Sequence, residues 1–137
     1  MSLFNVFDIA GSAMSAETVR LNVTASNLAN AQSVGSSEQS TYHARHPVFA
    51  AVMGSLRDNA ASAGVAVSGI VESQAPLVRE YAPHHAMADD DGYIYRPNVS
   101  MVEEMANMIS ASRAYQNNVE VLNATRQMLS ATINLGR

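Results

Sequence analysis

Four histidines and a run of aspartates are the residues of this chain whose types could bind a metal ion. His43 and His46 lie three residues apart in an extended stretch, where their side chains point to opposite faces and make a poor pair of ligands. His84 and His85 precede the acidic run 89–91, but the sequence DDDG lacks the alternating ligands and the distal glutamate of an EF-hand loop. The preferred interpretation is a solvated loop, and no cofactor is expected.

Side chains for covalent or acid–base catalysis are present but not arranged for it. No serine lies in a glycine-bracketed turn, and no glycine-rich loop for phosphate occurs. Glu103 and Glu104 are adjacent, so they diverge on a helix, where a role at the helix start explains them better. An enzyme with a small-molecule substrate is therefore not expected.

Composition and charge exclude several classes of partner. The net charge is −4, and all eight basic residues are arginines, scattered singly along the sequence. This distribution argues against a surface that binds nucleic acid and against a basic membrane-surface helix. The chain has no cysteine, and its first residues lack the basic and apolar segments of a conventional signal peptide. We expect that a protein of this kind leaves the cytoplasm, if it does so, by another route.

The first thirty residues carry the pattern of a long helix. Ser2 is a suitable N-cap, and a second apolar line follows Ile9, Ala13, Ala16 and Val23. Positions separated alternately by three and four residues form the predicted seam of this helix. They are Phe4, Phe7, Gly11, Met14, Thr18, Leu21, Ala25 and Leu28.

The last forty residues repeat this arrangement. Ser100 and Glu103 form a capping box behind Pro97, and Gly136 is a suitable stop. The alternation of three and four continues here with two polar interruptions. The predicted seam is Met101, Met105, Met108, Ser112, Tyr115, Val119, Leu122, Arg126, Leu129 and Ile133.

Short β-type runs fill the middle of the chain, at 47–53, 65–71, 76–81 and 92–96, with loops at 31–42, 54–64 and 82–91. The sequence therefore predicts an α+β fold in three parts: an N-terminal helix over 1–31, a β-rich region over 32–97 and a C-terminal helix over 98–137. The middle is too small to cover both helix seams. We expect the helices to pair as a coiled coil and to keep further apolar faces for other chains.

Both ends of the chain resemble the bacterial flagellar basal-body rod proteins. The resemblance lies in FDIAGSAMSAETVRLNVTASNLANAQS at the N-terminus and in GYIYRPNV, ISASRAYQNNVEVLN and the closing LGR at the C-terminus. YHARHPVFAAV and IVESQAPLVREY in the middle agree as well. The C-terminal motifs are most similar to the proximal-rod branch of C type.

The resemblance implies a structural subunit of a hollow shaft that crosses the periplasm and transmits motor torque towards the distal rod and hook. It implies terminal helices in the inner layer and a β-rich region outside. Implied partners are copies of the chain, other rod proteins, the adaptor that joins rod to ring, and the inner-membrane ring. Export through the flagellar type III apparatus, without a cleaved signal, is implied too. Another axial or type III secreted component, or a cytoplasmic helical adaptor, remains an alternative.

Asparagines are unusually placed for helices. Asn27 and Asn30 lie on the last turn of the first helix, although asparagine competes for backbone hydrogen bonds. We hypothesise that amides of this kind contact adjacent subunits and fix their register. An alternative is that they only end the helix. The candidate inter-subunit contacts are Asn27, Asn30, Asn117, Asn118 and Asn123.

Overall fold

The computed structural model describes residues 3–53 and 63–135, and it has a long helix at each end with two small antiparallel sheets between. The predicted α+β fold is confirmed. The predicted cap Ser2, the stop Gly136 and most of the loop 54–64 lie outside the described residues. The elements in chain order are α1 (Leu3–Asn30), β1 (Arg45–Met53), β2 (Ala63–Glu72), β3 (Val78–Tyr81), β4 (Tyr93–Arg96) and α2 (Met101–Leu135).

The start of α2 follows from its capping residues. The Ser100 carbonyl accepts a hydrogen bond from Glu104 N at 2.9 Å, and Ser100 Oγ accepts a longer one from Glu103 N at 3.5 Å. Glu103 and Glu104 place negative charge in the first turn, where the helix dipole favours it. Pro97, which is buried, precedes this cap in the extended approach. The cap fixes where the strand region gives way to helix.

The two helices pack against each other in antiparallel orientation. Arg20 Nη2 donates to Asn107 Oδ1 at 3.4 Å, and Thr24 lines the same small cavity as Glu104. Moving forward along α1 therefore corresponds to moving backward along α2. The buried residues of α2 are Glu104, Ala111 and Thr125, which are separated by multiples of seven and so form one line.

The two sheets are separate hairpin-like pairs. β1 pairs with β2 from Arg45↔Glu72 to Met53↔Ala63, with a register shift after Val48. β3 pairs with β4 over four residues, and Arg79 there stacks at 3.7 Å on the ring centroid of Tyr93. Both β1 and β2 pack on α1, whereas α2 packs on no strand among the described residues. α1 is thus the element around which the subunit is built.

Gly35 joins the loop after α1 to the second sheet. Its N–H donates to the Tyr95 carbonyl at 2.9 Å, and Tyr95 N donates back to the Gly35 carbonyl at 3.1 Å. A Cβ at this position would overlap Thr41 Oγ1, so only glycine allows this close approach.

Neither helix, within the part of the chain that the structure describes, has the length and apolar content needed to cross a lipid bilayer.

Candidate assembly site

The predicted seam of α1 divides into two lines. Phe7, Met14, Leu21 and Leu28, spaced by seven, are half-buried, whereas the intervening set of Phe4, Gly11, Thr18 and Ala25 is exposed. The buried positions of α1 are smaller or polar residues, because this helix packs on α2 and on the first sheet at once. They are Ala10, Ala16, Val23, Thr24 and Asn27. The exposed line is left facing away from both contacts.

The predicted seam of α2 divides in the same way. Half-buried positions recur every seven residues at Met108, Tyr115, Leu122 and Leu129, and Val119 is half-buried as well. The second line of the intramolecular contact runs through Glu104, Ala111 and Thr125, one residue before the predicted positions 105, 112 and 126. The remaining apolar residues of the predicted seam are exposed, and as assembly contacts they stay predictions. They are Met101, Met105 and Ile133.

A charged cluster lies within the helix pair. Arg20 reaches Asn107 on α2 and lies 3.6 Å from Glu17 on its own helix. Glu17 Oε2 is buried, and the Glu104 residue is only 5% exposed. Sequence periodicity of apolar residues could not find these positions, since charged side chains occupy them. Such groups favour one register of the two helices over others.

The Asn27 side chain links α1 to β1 through hydrogen bonds to backbone groups, and a link of this kind is called a joint below. Its amide Nδ2 donates to the Arg45 carbonyl at 2.8 Å, and its Oδ1 accepts from Arg45 N at 2.9 Å and from the Tyr42 hydroxyl at 2.8 Å. The residue is 1% exposed. The sequence hypothesis assigned Asn27 to a contact between subunits, but the structure places its amide inside the chain. The Asn27 amide is therefore occupied within the subunit.

Asn98 forms a second joint just before α2. Its Oδ1 accepts from Ala44 N at 2.8 Å, and its Nδ2 donates to the Ala75 carbonyl at 2.7 Å. Because Ala44 and Arg45 are adjacent, the end of α1 and the approach to α2 both hold the beginning of β1. Asn98 belongs to the motif GYIYRPNV, but the motif does not show which distant backbone groups its side chain bonds. The available signal was the position of Asn98 just before a helix start, where asparagine is favoured because its side chain hydrogen-bonds backbone groups.

The other candidate asparagines differ in their surroundings. Asn30 Nδ2 donates to the Ser26 carbonyl and Asn118 Nδ2 to the Ala114 carbonyl, each one turn back in its own helix. Asn117 and Asn123 are exposed on α2. These two side chains lie where another subunit could reach them, and their role as contacts stays a prediction.

Among the histidines and aspartates, His85 and Asp89 hold local structure through hydrogen bonds to nearby backbone N–H groups. Asp89 Oδ1 accepts from Asp91 N at 3.0 Å and from Tyr93 N at 2.7 Å, which folds the acidic run into a turn. His85 Nδ1 accepts from Met87 N at 3.1 Å. Within residues 3–53 and 63–135, no group of three histidine or acidic side chains is placed to hold a metal ion.

Most of the exposed large apolar side chains among the described residues lie on α2 and on the first sheet. On α2 they include Val102, which is 75% exposed, and Leu135, which is 87% exposed. On the first sheet they are Val48, Phe49, Val52, Ile70 and Val71. Extended exposed apolar surface of this kind is typical of protein–protein contact.

An open groove of about 540 Å³ lies where α1 meets the first sheet. Val19, Asn22, Val23 and Ser26 form its helical wall, at the spacing of one helix face. Arg45, Ile70 and Glu72 form the strand wall, and Arg45 pairs with Glu72 at 3.0 Å. This groove, called the α1–sheet groove below, combines apolar walls with a rim whose charges are already paired.

Comparison with known proteins identifies the family. The profile described as "Flagella basal body rod protein" matches residues 7–35, and "Flagellar basal body rod FlgEFG protein C-terminal" matches residues 90–135. A flagellar basal-body rod protein FlgC from Escherichia coli O6:H1 is 49% identical over the full length of both chains. The chain belongs to the FlgC family of flagellar basal-body rod proteins. The Salmonella typhimurium FlgC is 47% identical over both full lengths, and that of Borreliella burgdorferi is 31% identical over 97% of both.

Membership in this family establishes the role of the subunit. The chain is a structural subunit of the proximal rod of the flagellar basal body. The two matched segments lie largely on α1 and α2, so the helix pair is the part that the wider rod families share. The exposed faces of these helices are the candidate assembly surfaces.

Proposed function

We propose that this chain polymerises through the exposed faces of α1, α2 and the first sheet into a hollow shaft that transmits motor torque, and that it has no catalytic role. The observation that carries the proposal is the sparse burial of α2. Of its 35 residues only Glu104, Ala111 and Thr125 are buried in the single chain, and α1 is its one packed neighbour among the described elements. A helix of this length needs more apolar cover to be stable in water.

A shaft under torque favours many moderate contacts over one strong contact. The exposed apolar residues are spread along α2 rather than gathered at one point. Small exposed residues such as Gly11, Ala25 and Ala124 allow neighbouring helices to approach closely, with little side-chain entropy lost on contact. Each subunit can therefore bind several neighbours at once.

The partners we propose are other copies of the chain, the other proximal-rod and distal-rod proteins, the adaptor between rod and ring, and the inner-membrane ring. The match of residues 90–135 to a family described by FlgE, FlgF and FlgG supports the rod proteins in this set, because helices of the α2 type then recur in several of them. Like helices can pack on each other by the same rules.

We further propose that the subunit reaches the rod through the flagellar type III export apparatus. The absence of cysteine and the low aromatic content of 6% support it, since a chain that travels unfolded is helped by few strongly self-associating side chains.

The test is to express the tagged chain in a flagellated host that lacks its own FlgC and to purify basal bodies. We expect the chain in the basal-body fraction and recovery of swimming. A chain found only as a stable cytosolic dimer would overturn the proposal in favour of an adaptor role. A strain with the flagellar export apparatus deleted serves as the control for the route.

A further inference from the structure

The C-terminal half of α2 carries an apolar stripe that its own chain does not cover. Its members alternate at spacings of three and four, which places them on one helix face. All five are exposed: Val121, Ala124, Met128, Ala131 and Leu135. Exposure reaches 44% at Val121, 53% at Met128 and 87% at Leu135. This set is called the α2 stripe below.

Much of the α2 stripe extends past the end of α1. Because Arg20 faces Asn107 in an antiparallel pair, Leu3 lies opposite about position 124 of α2 at equal rise per residue. The stretch 127–135 thus has no described α1 residue opposite it. It also contains no aspartate, glutamate, lysine or arginine. It is an uncharged, partly apolar helix end about two and a half turns long at 3.6 residues per turn.

The α1–sheet groove has the matching properties. Its helical wall from Val19 to Ser26 spans about two turns of α1. Its strand wall contributes Ile70, which is 51% exposed. Arg45 and Glu72 neutralise each other at the rim, so no unpaired rim charge would be buried against an uncharged helix. Amphipathic helices commonly bind by placing their apolar face in a hydrophobic groove.

The stripe and the groove of one chain are too far apart to meet. The groove lies beside α1 residues that face the start of α2, whereas the stripe lies at the end of α2. The distance along α2 from position 105 to Met128 is about 35 Å at 1.5 Å per residue. Contact is therefore possible only between different chains.

We propose that the α2 stripe of one copy docks in the α1–sheet groove of a second copy. The contact is continuous with the packing already seen, since α1 then has α2 of its own chain on one side and α2 of the neighbour on another. The two surfaces differ, so the contact is head-to-tail and each bound copy leaves one stripe and one groove open. Such a contact builds an open polymer rather than a closed dimer. This inference rests on the proposed assembly function and names its partner surface.

Disulfide mapping in assembled basal bodies tests the inference, and the cysteine-free sequence makes the background clean. The double variant Asn22→Cys with Ala131→Cys places one thiol in the groove and one on the stripe, both at exposed positions. The matched control is Asn22→Cys with Ser130→Cys, whose second thiol lies about 100° around the helix from the stripe. A disulfide needs the two Cα atoms within about 7 Å.

We expect copper-phenanthroline oxidation to give a ladder of linked copies with the Ala131→Cys pair and single chains with the Ser130→Cys pair. A ladder in the control alone, or a link only to a different rod protein, would overturn the inference. Incorporation of both variants without any link would overturn it too, while leaving the proposed function intact. If the unsubstituted chain itself is missing from basal bodies, the proposed function fails instead.

A second pair of variants covers the case in which the cysteine variants do not assemble. Met128→Asp puts a charge on the stripe, and Gln127→Asp puts the same charge beside it, at an exposed position. We expect loss of incorporation with Met128→Asp and near-normal incorporation with Gln127→Asp. Equal incorporation of the two variants would contradict docking of the stripe.

Discussion

The two long helices look alike in sequence but differ in their surroundings. α1 packs on α2, β1 and β2, and it buries five residues in 28. α2 packs on α1 alone among the described elements, and it buries three residues in 35. α1 therefore organises the subunit, whereas most of the surface of α2 stays exposed in the single chain. Similar periodic patterns can serve folding in one helix and assembly in the other.

The strongest way to break this comparison is to charge the predicted seam of either helix. Leu28→Asp or Leu122→Asp replaces a half-buried leucine with a carboxylate. We expect complete loss of rod assembly and swimming with normal synthesis, because an unpaired charge in an apolar contact is strongly unfavourable. Soft-agar swimming and detection of the chain in cell extracts measure both. Leu122→Met, which nearly conserves volume, is the control. A motile Leu122→Asp strain would show that the seam is not needed.

In the isolated chain, we expect the two helices to differ in stability. Without neighbours, both termini should be largely unfolded, and α2 more so than α1, because less of α2 is covered. Circular dichroism should show far less helix than 28 and 35 residues would give. Hydrogen exchange should be fastest in the second half of α2. A monodisperse monomer with full helicity would contradict the expectation.

Asn27→Ala should destabilise the packing of α1 against β1. It leaves Arg45 N and the Arg45 carbonyl without their side-chain partner, and Tyr42 loses an acceptor. We expect a loss of about 2–4 kcal/mol in subunit stability, since each buried polar group left unpaired costs about 1–3 kcal/mol. Swimming should become temperature-sensitive. Asn30→Ala is the matched control, because the Asn30 amide bonds only its own helix. Equal effects of the two variants would remove the special role of Asn27.

The smallest expected effects come from substituting alanine for two glycines, one in a crowded position and one next to open space. Gly35→Ala should cost about 1–3 kcal/mol, because the added methyl overlaps Thr41 Oγ1. Gly11→Ala meets open space and should favour helix by about 0.5–1 kcal/mol. Thermal unfolding and swimming should be measured together. If Gly11→Ala stabilises the helix yet reduces swimming, Gly11 contacts a neighbour in the rod. Unchanged swimming would place it on a free surface.

Local structure was predictable because it depends on nearby residues. The helix start at Ser100, the helical periodicity and the four β-type runs all correspond to observed elements. The buried lines were not predictable to the residue. Ala111, Thr125 and Glu104 lie where the helices meet, although none of them has a large apolar side chain. Apolar periodicity alone cannot distinguish a face that meets the same chain from one that meets the next.

The Asn27 and Asn98 joints could not be read from the sequence for a different reason. Asn27 and Arg45 are 18 residues apart, and Asn98 and Ala44 are 54 apart. From the sequence alone, an asparagine that caps a helix cannot be distinguished from one that hydrogen-bonds a distant backbone group. The loop 31–44 brings Arg45 to Asn27, and the strand region that follows it brings Asn98 to Ala44.

The span of the Asn98 joint has a consequence for how the subunit folds. A hydrogen bond that closes 54 residues forms late, because the entropy of a long loop must be overcome first. The α1 helix and the β1–β2 pair can form from closer neighbours before that step. We therefore expect a subunit that arrives unfolded to build α1 with its sheet first and to fix the angle of that sheet only when the chain up to Asn98 is in place. The final shape would then be set while the neighbouring subunits are already present, so that the growing rod acts as a template for the last step.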